Sequence, residues 1–131
     1  YYTSNTSTAL TANTMSGAIA FGSKVWDTHN AFNGSTFTAP VAGIYQVSTC
    51  VNSVNGALGA FEVNVFKNSG RYIVLNGGAN YSANVVCGTG LVKLAASDTM
   101  DIRAYTTTSG ASVCCSSSNV ATWLQVIRVS N

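Results

Sequence analysis

The residues best suited to chemistry in this chain are four cysteines, Cys50, Cys87, Cys114 and Cys115. An even number of cysteines in a chain that is rich in Ser and Thr and poor in charge favours an oxidising compartment, where thiols pair as disulfides. The spacing does not fit a zinc site, because a second close pair of ligands and partner histidines are missing. Four free thiols in a reduced protein are the alternative, and the sequence leaves both interpretations open.

Trp26, Asp27 and His29 form the one cluster that suggests acid–base catalysis. His29 is the single histidine of the chain, and neither a second nearby acid nor a nucleophile motif accompanies it. Catalysis needs several acid–base or nucleophilic groups that converge on one point. We therefore interpret these three residues as structural, and we expect no enzymatic activity, no metal and no cofactor.

Charged residues are scarce, at 8% of the chain, and the formal net charge is +2. The six basic residues are scattered, whereas nucleic-acid binding needs a concentrated basic surface. An electrostatic membrane anchor would also need such a cluster. No apolar run reaches the ~20 residues of a transmembrane helix. We therefore expect no nucleic-acid partner and no membrane insertion.

The elements that position these residues follow the two-residue period of β-strands. In residues 43–52 and again in residues 60–67, alternate side chains share one face. Pro40, the single proline, marks a corner before the first of these strands, because proline cannot donate to a sheet ladder. The other predicted strands are residues 17–21, 24–27, 36–39, 71–75, 81–94, 100–105 and 120–129, with turns at 68–70 and 76–78. This pattern predicts an antiparallel sandwich or jelly roll.

The first 14 residues are polar and show no clear period. They predict an N-terminal arm or neck, residues 1–14, that needs a partner chain to order it, followed by a β domain of residues 15–131. We expect the chain to be a processed product or an excised domain, because it has no starting methionine and no leader pattern.

The predicted last strand, residues 120–129, carries large apolar side chains on both faces. A sandwich strand with one solvated face would be polar on that face, so the second face needs a partner. A strand covered by a loop of its own chain is the alternative. The side chains predicted to contact other subunits are those of Trp123, Gln125 and Ile127.

Several motifs resemble those of complement C1q-like domains. The central motif is FTAPVAGIY, residues 37–45, in which an aromatic residue, Ala-Pro, Gly and Tyr follow in the family's order and spacing. Residues 26–32 resemble the lead-in of phage and bacterial members, and residues 66–70 are similar to the family's Lys-Asn-Gly hairpin. Residues 94–100 resemble its Leu, Gly-Asp turn, with Ser97 where Gly is usual.

The resemblance covers about residues 15–130 and implies an all-β, ten-stranded antiparallel jelly-roll sandwich of the C1q and tumour-necrosis-factor type, assembled as a homotrimer. Two features depart from the family. Residues 120–129 lack the usual Phe-Ser-Gly-Phe pattern, and the acidic residues that hold calcium in some relatives have no clear cluster here.

Family members usually cap a fibre, stalk or stem and bind a surface ligand. The implied function is therefore a non-enzymatic trimeric head of a phage fibre or bacterial appendage, extracellular or on a virion surface, that recognises a cell-surface glycan or protein. The alternative is a structural subunit, either a capsid decoration protein or a filament protein whose arm adds a strand to a neighbour.

In a jelly roll of this type, strands 43–52 and 81–94 would lie side by side and antiparallel. Cys50 and Cys87 would then meet near one end and form the leading disulfide pair, while Cys114 or Cys115 could cross to another subunit. The loops at that end, opposite the termini, would present a ligand site. The candidate ligand-binding residues there are Asn55, Asn76, Asn80, Tyr81, Thr107 and Ser109.

Overall fold

The computed structural model describes residues 1–53, 59–81, 85–114 and 122–130, with only the backbone for residues 80 and 81. Within these ranges the chain forms strands and no helix, so no helix there could cross a membrane. The strands are β1 (Tyr2–Thr3), β2 (Thr8–Ala9), β3 (Thr14–Met15), β4 (Ser23–Lys24), β5 (Thr36–Thr38), β6 (Gly43–Asn52), β7 (Gly59–Lys67), β8 (Gly70–Tyr81), β9 (Val85–Leu94), β10 (Thr99–Thr106), β11 (Ser112–Val113) and β12 (Trp123–Ser130).

Two antiparallel sheets pack face to face. The first sheet has the order β4–β1–β12–β6–β9, and the second has the order β3–β10–β7–β8, with β5 also paired to β10. Strands β2 and β11 form a separate two-stranded ribbon. The described residues thus form twelve strands rather than the predicted ten. Five of the twelve have only two residues, too few to show a period in the sequence.

The core lies between the sheets and is built by strict alternation. Phe61, Val63 and Val65 of β7 are fully buried, and Val47 and Val51 of β6 face them from the other sheet. This is the arrangement that the two-residue period of both strands predicted.

The predicted corner at Pro40 is confirmed, because β5 ends at Thr38 and β6 begins at Gly43. The hydroxyl of Tyr45 closes it by donating to the carbonyl oxygen of Val41 at 2.6 Å. A Cβ at Gly43 would lie 2.5 Å from the carbonyl oxygen of Ser130, so only glycine lets the end of β12 approach this closely.

The hairpin between β7 and β8 is also confirmed. Asn68 and Ser69 both have positive φ angles, 48° and 67°. A two-residue turn with both central residues in this region matches the right-handed twist of the flanking strands.

The turn predicted at residues 76–78 is wrong, because β8 runs without interruption through these residues. Gly77 in this stretch and Gly88 in β9 allow neighbouring strands to approach each other closely. A Cβ at Gly77 would lie 2.8 Å from the Phe61 carbonyl oxygen of β7, and one at Gly88 of β9 would lie 2.7 Å from the Leu75 carbonyl oxygen of β8. A glycine that provides space between neighbouring strands cannot be distinguished in sequence from a glycine in a turn.

The strand predicted at residues 17–21 does not form. This segment runs beside the second sheet with single backbone contacts, such as the Ile19 N–H donated to the Ile102 carbonyl oxygen at 2.9 Å. Its apolar residues Ile19 and Phe21 are fully buried, so they fill the edge of the core without joining a ladder. The strand predicted at 24–27 is likewise shorter and displaced, as β4.

The structure corrects the prediction that residues 1–14 need a partner chain to become ordered. Tyr2 pairs with Leu124 of β12, and β2 pairs with β11 of the same chain. Tyr2 and Leu10 are buried in the core. The segment contributes isolated buried side chains and short strands, and this is why its sequence shows no regular period.

Candidate functional site

The outward face of the first sheet is organised in rows across β12, β6 and β9. One row is Ile127, Gln46 and Leu91, and a second begins with Trp123 and continues through the two cysteines of the disulfide described below. Trp123, Gln125 and Ile127 occupy alternate positions of β12, so all three predicted contact residues share this outward face.

Apolar side chains remain exposed on this face. Leu91 is 58% exposed, and Ile127 and Val85 are each 40% exposed. The middle of the face is polar, with the Thr89 hydroxyl 3.0 Å from the Ser48 hydroxyl. Large exposed apolar side chains on one face are a feature of surfaces that contact another protein, although here polar residues lie between the apolar ones instead of around them.

Leu91 and Val85 were missed by the sequence analysis. The inward positions of β9 include Gly88 and Gly90, where glycine makes room for Ile73 and Leu75 of β8. The apolar–polar contrast between the two faces of β9 is therefore absent from the sequence. Leu91 and Val85 can be identified as outward-facing residues only from the register of β9 against β6.

Cys50 and Cys87 are directly opposed in β6 and β9 and form a disulfide, with their Cα atoms 4.0 Å apart. This is the leading pair expected from the sequence. It lies on the outward face beside Trp123, and its two cysteines are 37 residues apart in the chain.

Cys114 is also disulfide-bonded, and its backbone N–H donates to the Asn52 carbonyl oxygen at 2.9 Å near the same end of the sandwich. The expected bond from Cys114 or Cys115 to another subunit stays a prediction. Cys115 lies outside the described residues.

Of the predicted ligand residues, the described ones include two whose side chains are engaged within the fold. The side-chain amide of Asn76, inside β8, donates to the Cys87 carbonyl oxygen at 2.6 Å. The Thr107 hydroxyl oxygen accepts the Ala60 N–H at 2.9 Å, so both side chains stabilise the fold. Ser109 is exposed. Asn55 and the side chains of Asn80 and Tyr81 lie outside the described residues.

The prediction that these loops lie at the end opposite the N-terminal segment is wrong. The Ser4 N–H donates to the Thr122 carbonyl oxygen, and the Leu10 N–H donates to the Ala111 carbonyl oxygen. Residues 4–10 therefore run along this end of the sandwich.

Asp27 organises the segment that precedes the corner. Its carboxylate accepts hydrogen bonds from the Tyr2 hydroxyl at 2.6 Å, the His29 N–H at 3.0 Å and the Phe32 N–H at 3.2 Å. Burial alone would raise the pKa of Asp27, but these hydrogen bonds outweigh burial and lower it. Burial and the Asp27 carboxylate raise the pKa of Tyr2.

The His29 ring does not face Asp27. Its Nδ1 atom lies 2.8 Å from the hydroxyl of Thr28. Because the carboxylate is occupied by backbone and phenol donors, Asp27 and His29 form no acid–base pair. This is the structural role that the sequence favoured. Among the described residues, no group of three or more His, Cys, Asp or Glu residues could hold a metal.

A cleft of about 820 Å³ opens beside the second half of β12. Phe37 and Tyr45, whose ring centroids are 5.4 Å apart, form its floor. Val126 and Arg128 of β12 line one side, and Trp26 lines the other. The floor is therefore formed by aromatic residues of the core, and the walls carry both apolar and charged side chains.

The cleft exists because the sandwich is not closed at this point. Leu124, Val126 and Arg128 lie at alternate positions on the inward side of β12, but only Leu124 is fully buried. Val126 is partly exposed and Arg128 is exposed. Strand β1 pairs with β12 only at Leu124 and Trp123, so it covers only the first residues of that strand.

The chain is similar to three solved structures. The globular domain of zebrafish complement 1qA aligns with a TM-score of 0.56 and 15% identity over 95% of this chain and 98% of that chain. Rabbit GITRL aligns with a TM-score of 0.47 and 13% identity over 76% and 75% of the two chains. A family 35 carbohydrate-binding module from Clostridium thermocellum aligns with a TM-score of 0.46 and 16% identity over 95% and 99%.

The chain has a C1q/tumour-necrosis-factor-like jelly-roll fold, as the sequence motifs predicted. No protein-family model matches the sequence, and no curated protein matches it.

Proposed function

We propose that the chain is the non-enzymatic, homotrimeric head domain of a surface fibre or adhesin, on a phage fibre or a bacterial appendage, and that it recognises a glycan or protein on a cell surface. The observation that carries the proposal is the outward face of the first sheet, where large apolar side chains of β12 and β9 are exposed on either side of β6.

Burial of Leu91 and Ile127 would stabilise an assembly. Full burial of an exposed Leu or Ile side chain contributes about 1.5–3 kcal/mol, and these two side chains would contribute roughly half of that each, because they are 58% and 40% exposed. Leu91 and Ile127 lie in one row, separated only by Gln46, so a partner surface that covers the row buries both. Trp123 and Val85 extend the same face toward the loop end.

The fold and the disulfide support the proposal. The resemblance to C1q-like domains implies a homotrimer, and the C1q/tumour-necrosis-factor-like architecture agrees with that resemblance. The Cys50–Cys87 disulfide is consistent with an extracellular location, because such bonds persist in oxidising environments. A homotrimer would also increase the avidity of three weak ligand sites for a dense cell surface.

The first experiment measures the oligomeric state by analytical ultracentrifugation. We expect the chain to sediment as a trimer and the variant Leu91→Asp/Ile127→Asp to sediment as a monomer. Val74→Asp is the matched control, since Val74 is 44% exposed on the outward face of the second sheet. A wild-type monomer, an open-ended polymer, or a control as dissociated as the double variant would contradict the proposed assembly.

The second experiment tests recognition. We expect the trimer to bind defined components on a glycan array or intact bacterial cells, and we expect the monomeric double variant to bind them much more weakly. Absence of binding by the folded trimer to glycans and cells would contradict the recognition role and favour a structural subunit.

A further inference from the structure

We propose that the cleft beside β12 binds an extended peptide of another protein, which adds a strand to the unpaired edge of β12 and places an acidic side chain against Arg128. This site lies at the free edge and on the inward side of β12, and it borders the outward face at Ile127, which also lines the cleft. The proposal rests on the edge, the floor and the charge of the cleft.

The edge of β12 offers a row of backbone groups. Along its whole length, from Trp123 to Ser130, β12 pairs with β6 on one side. On the other side, β1 pairs with β12 at Trp123 and Leu124, and no other described strand continues that ladder from Gln125 to Val129. An extended chain is the ligand that satisfies the donors and acceptors of such an edge, and strand addition is a common mode of peptide recognition.

The cleft lies in line with β1. Since Tyr2 is opposite Leu124 in an antiparallel pair, a strand that continues this line places successive inward side chains opposite Val126 and Arg128. The first of these positions lies over the apolar floor formed by Phe37 and Tyr45. An apolar side chain fits there, and two residues earlier in the peptide a side chain meets Arg128.

Arg128 gives the cleft its charge preference. Its Nε and Nη2 atoms donate to the Ala42 carbonyl oxygen at 3.2 and 2.8 Å, and no carboxylate of the described residues pairs with it. Asp27, which also lines the cleft, already accepts three hydrogen bonds. The cation is therefore the available charge, and a carboxylate is its complement.

A second copy of this chain is a poor source of that carboxylate. The sequence contains four acidic residues, and each is already engaged. Asp27 binds Tyr2, Glu62 pairs with Arg71, Asp98 pairs with Lys67 and Asp101 pairs with Arg103. The chemistry therefore favours a different protein as the donor of the strand.

The probe is the fluorescent peptide acetyl-Thr-Thr-Glu-Thr-Val-amide. When it binds antiparallel to β12, it places Val opposite Val126 and Glu opposite Arg128, and it ends before Tyr2, which lies opposite Leu124. We expect its fluorescence anisotropy to rise on titration with the wild-type protein. A probe with Lys in place of Glu should bind about tenfold more weakly, because it puts a second cation beside Arg128.

The matched variants are Arg128→Gln and Arg71→Gln, two exposed arginines on different sheets. Arg128→Gln should bind the Glu probe about fivefold more weakly than wild type and should abolish the preference for Glu over Lys. Arg71→Gln should change neither the affinity for the Glu probe nor the preference for Glu over Lys. Because the comparison of the two probes uses the wild-type protein, it tests the proposal even where Arg128→Gln folds poorly.

Hydrogen exchange locates the binding. We expect the Glu probe to slow amide exchange in residues 125–130, and a probe with Pro in place of the Thr between Glu and Val to have no such effect. Equal affinity for the Glu and Lys probes, or binding that leaves residues 125–130 unprotected, would overturn the proposal. Protection of these residues that rises with protein concentration alone would assign the edge to a second copy and would also overturn it.

Discussion

The hydroxyl group of Tyr2 lies 2.6 Å from the Oδ2 atom of Asp27 and joins segments that are 25 residues apart in the chain. The Tyr2 ring also packs against Phe32, with ring centroids 4.4 Å apart. This one relationship ties the N-terminal strand to the loop before the corner. It explains why a segment of low apparent pattern is part of the domain.

Removing the hydroxyl group should destabilise the fold without changing its shape. We expect Tyr2→Phe to lower the free energy of unfolding by about 1.5–3 kcal/mol, the range for a hydrogen bond to a charged group. Tyr72→Phe is the control, because that side chain is 48% exposed. Urea unfolding followed by fluorescence measures both. Equal losses in the two variants would contradict the role assigned to the Tyr2–Asp27 contact.

Stability should decrease in acid because of Asp98. Hydrogen bonds from Asn68 and Lys67 lower the pKa of Asp98 from its ordinary value of 3.8 to about 2. The folded state therefore holds this carboxylate charged where the unfolded state would protonate it. Its contribution is complete above about pH 4 and is lost as the pH falls toward about 2.

The test is the free energy of unfolding between about pH 2 and pH 6 for the wild type and Asp98→Asn. We expect the difference in stability between them to shrink as the pH falls through this range. A constant difference would show that the charge of Asp98 is not the cause.

The Cys50–Cys87 disulfide should stabilise the outward face through its 37-residue separation. We expect the double variant Cys50→Ala/Cys87→Ala to lose about 2–4 kcal/mol of unfolding free energy. Peptide mapping under non-reducing conditions identifies the pair. Recovery of Cys50 bonded to a different cysteine would contradict the register described here.

Gly88 should not tolerate a side chain. A Cβ at this position would lie 2.7 Å from the Leu75 carbonyl oxygen, a backbone atom that cannot rotate away. We expect Gly88→Ala to lower the free energy of unfolding by about 1–3 kcal/mol, the range for overpacked cores. Gly17→Ala is the control, since a Cβ there has no neighbour within 4 Å. Thermal unfolding that shows no difference between the two would contradict the close approach of β8 and β9.

The long strands could be predicted because their signal is local. β6 has the predicted bounds, and β7 differs by one residue, since each alternates apolar and polar side chains against one core. The short strands β1 to β4 could not be predicted, because two residues carry no period and their pairing depends on distant partners. The turn assigned to residues 76–78 failed for a similar reason, since a glycine in a turn and a glycine between two strands look alike in sequence.

For the site, the sequence determined which residues of β12 share a face, because alternation along one strand fixes that without any partner. It also gave Cys50 with Cys87 as the leading disulfide pair, through the family resemblance. Only the tertiary structure decided that Leu91 joins Ile127 on the outward face, and that Asp27 is occupied by Tyr2. It alone placed the open cleft beside Arg128. The physical reason is that side-chain direction is a local property of a strand, whereas neighbours across a sheet and unpaired edges depend on contacts between residues far apart in the chain.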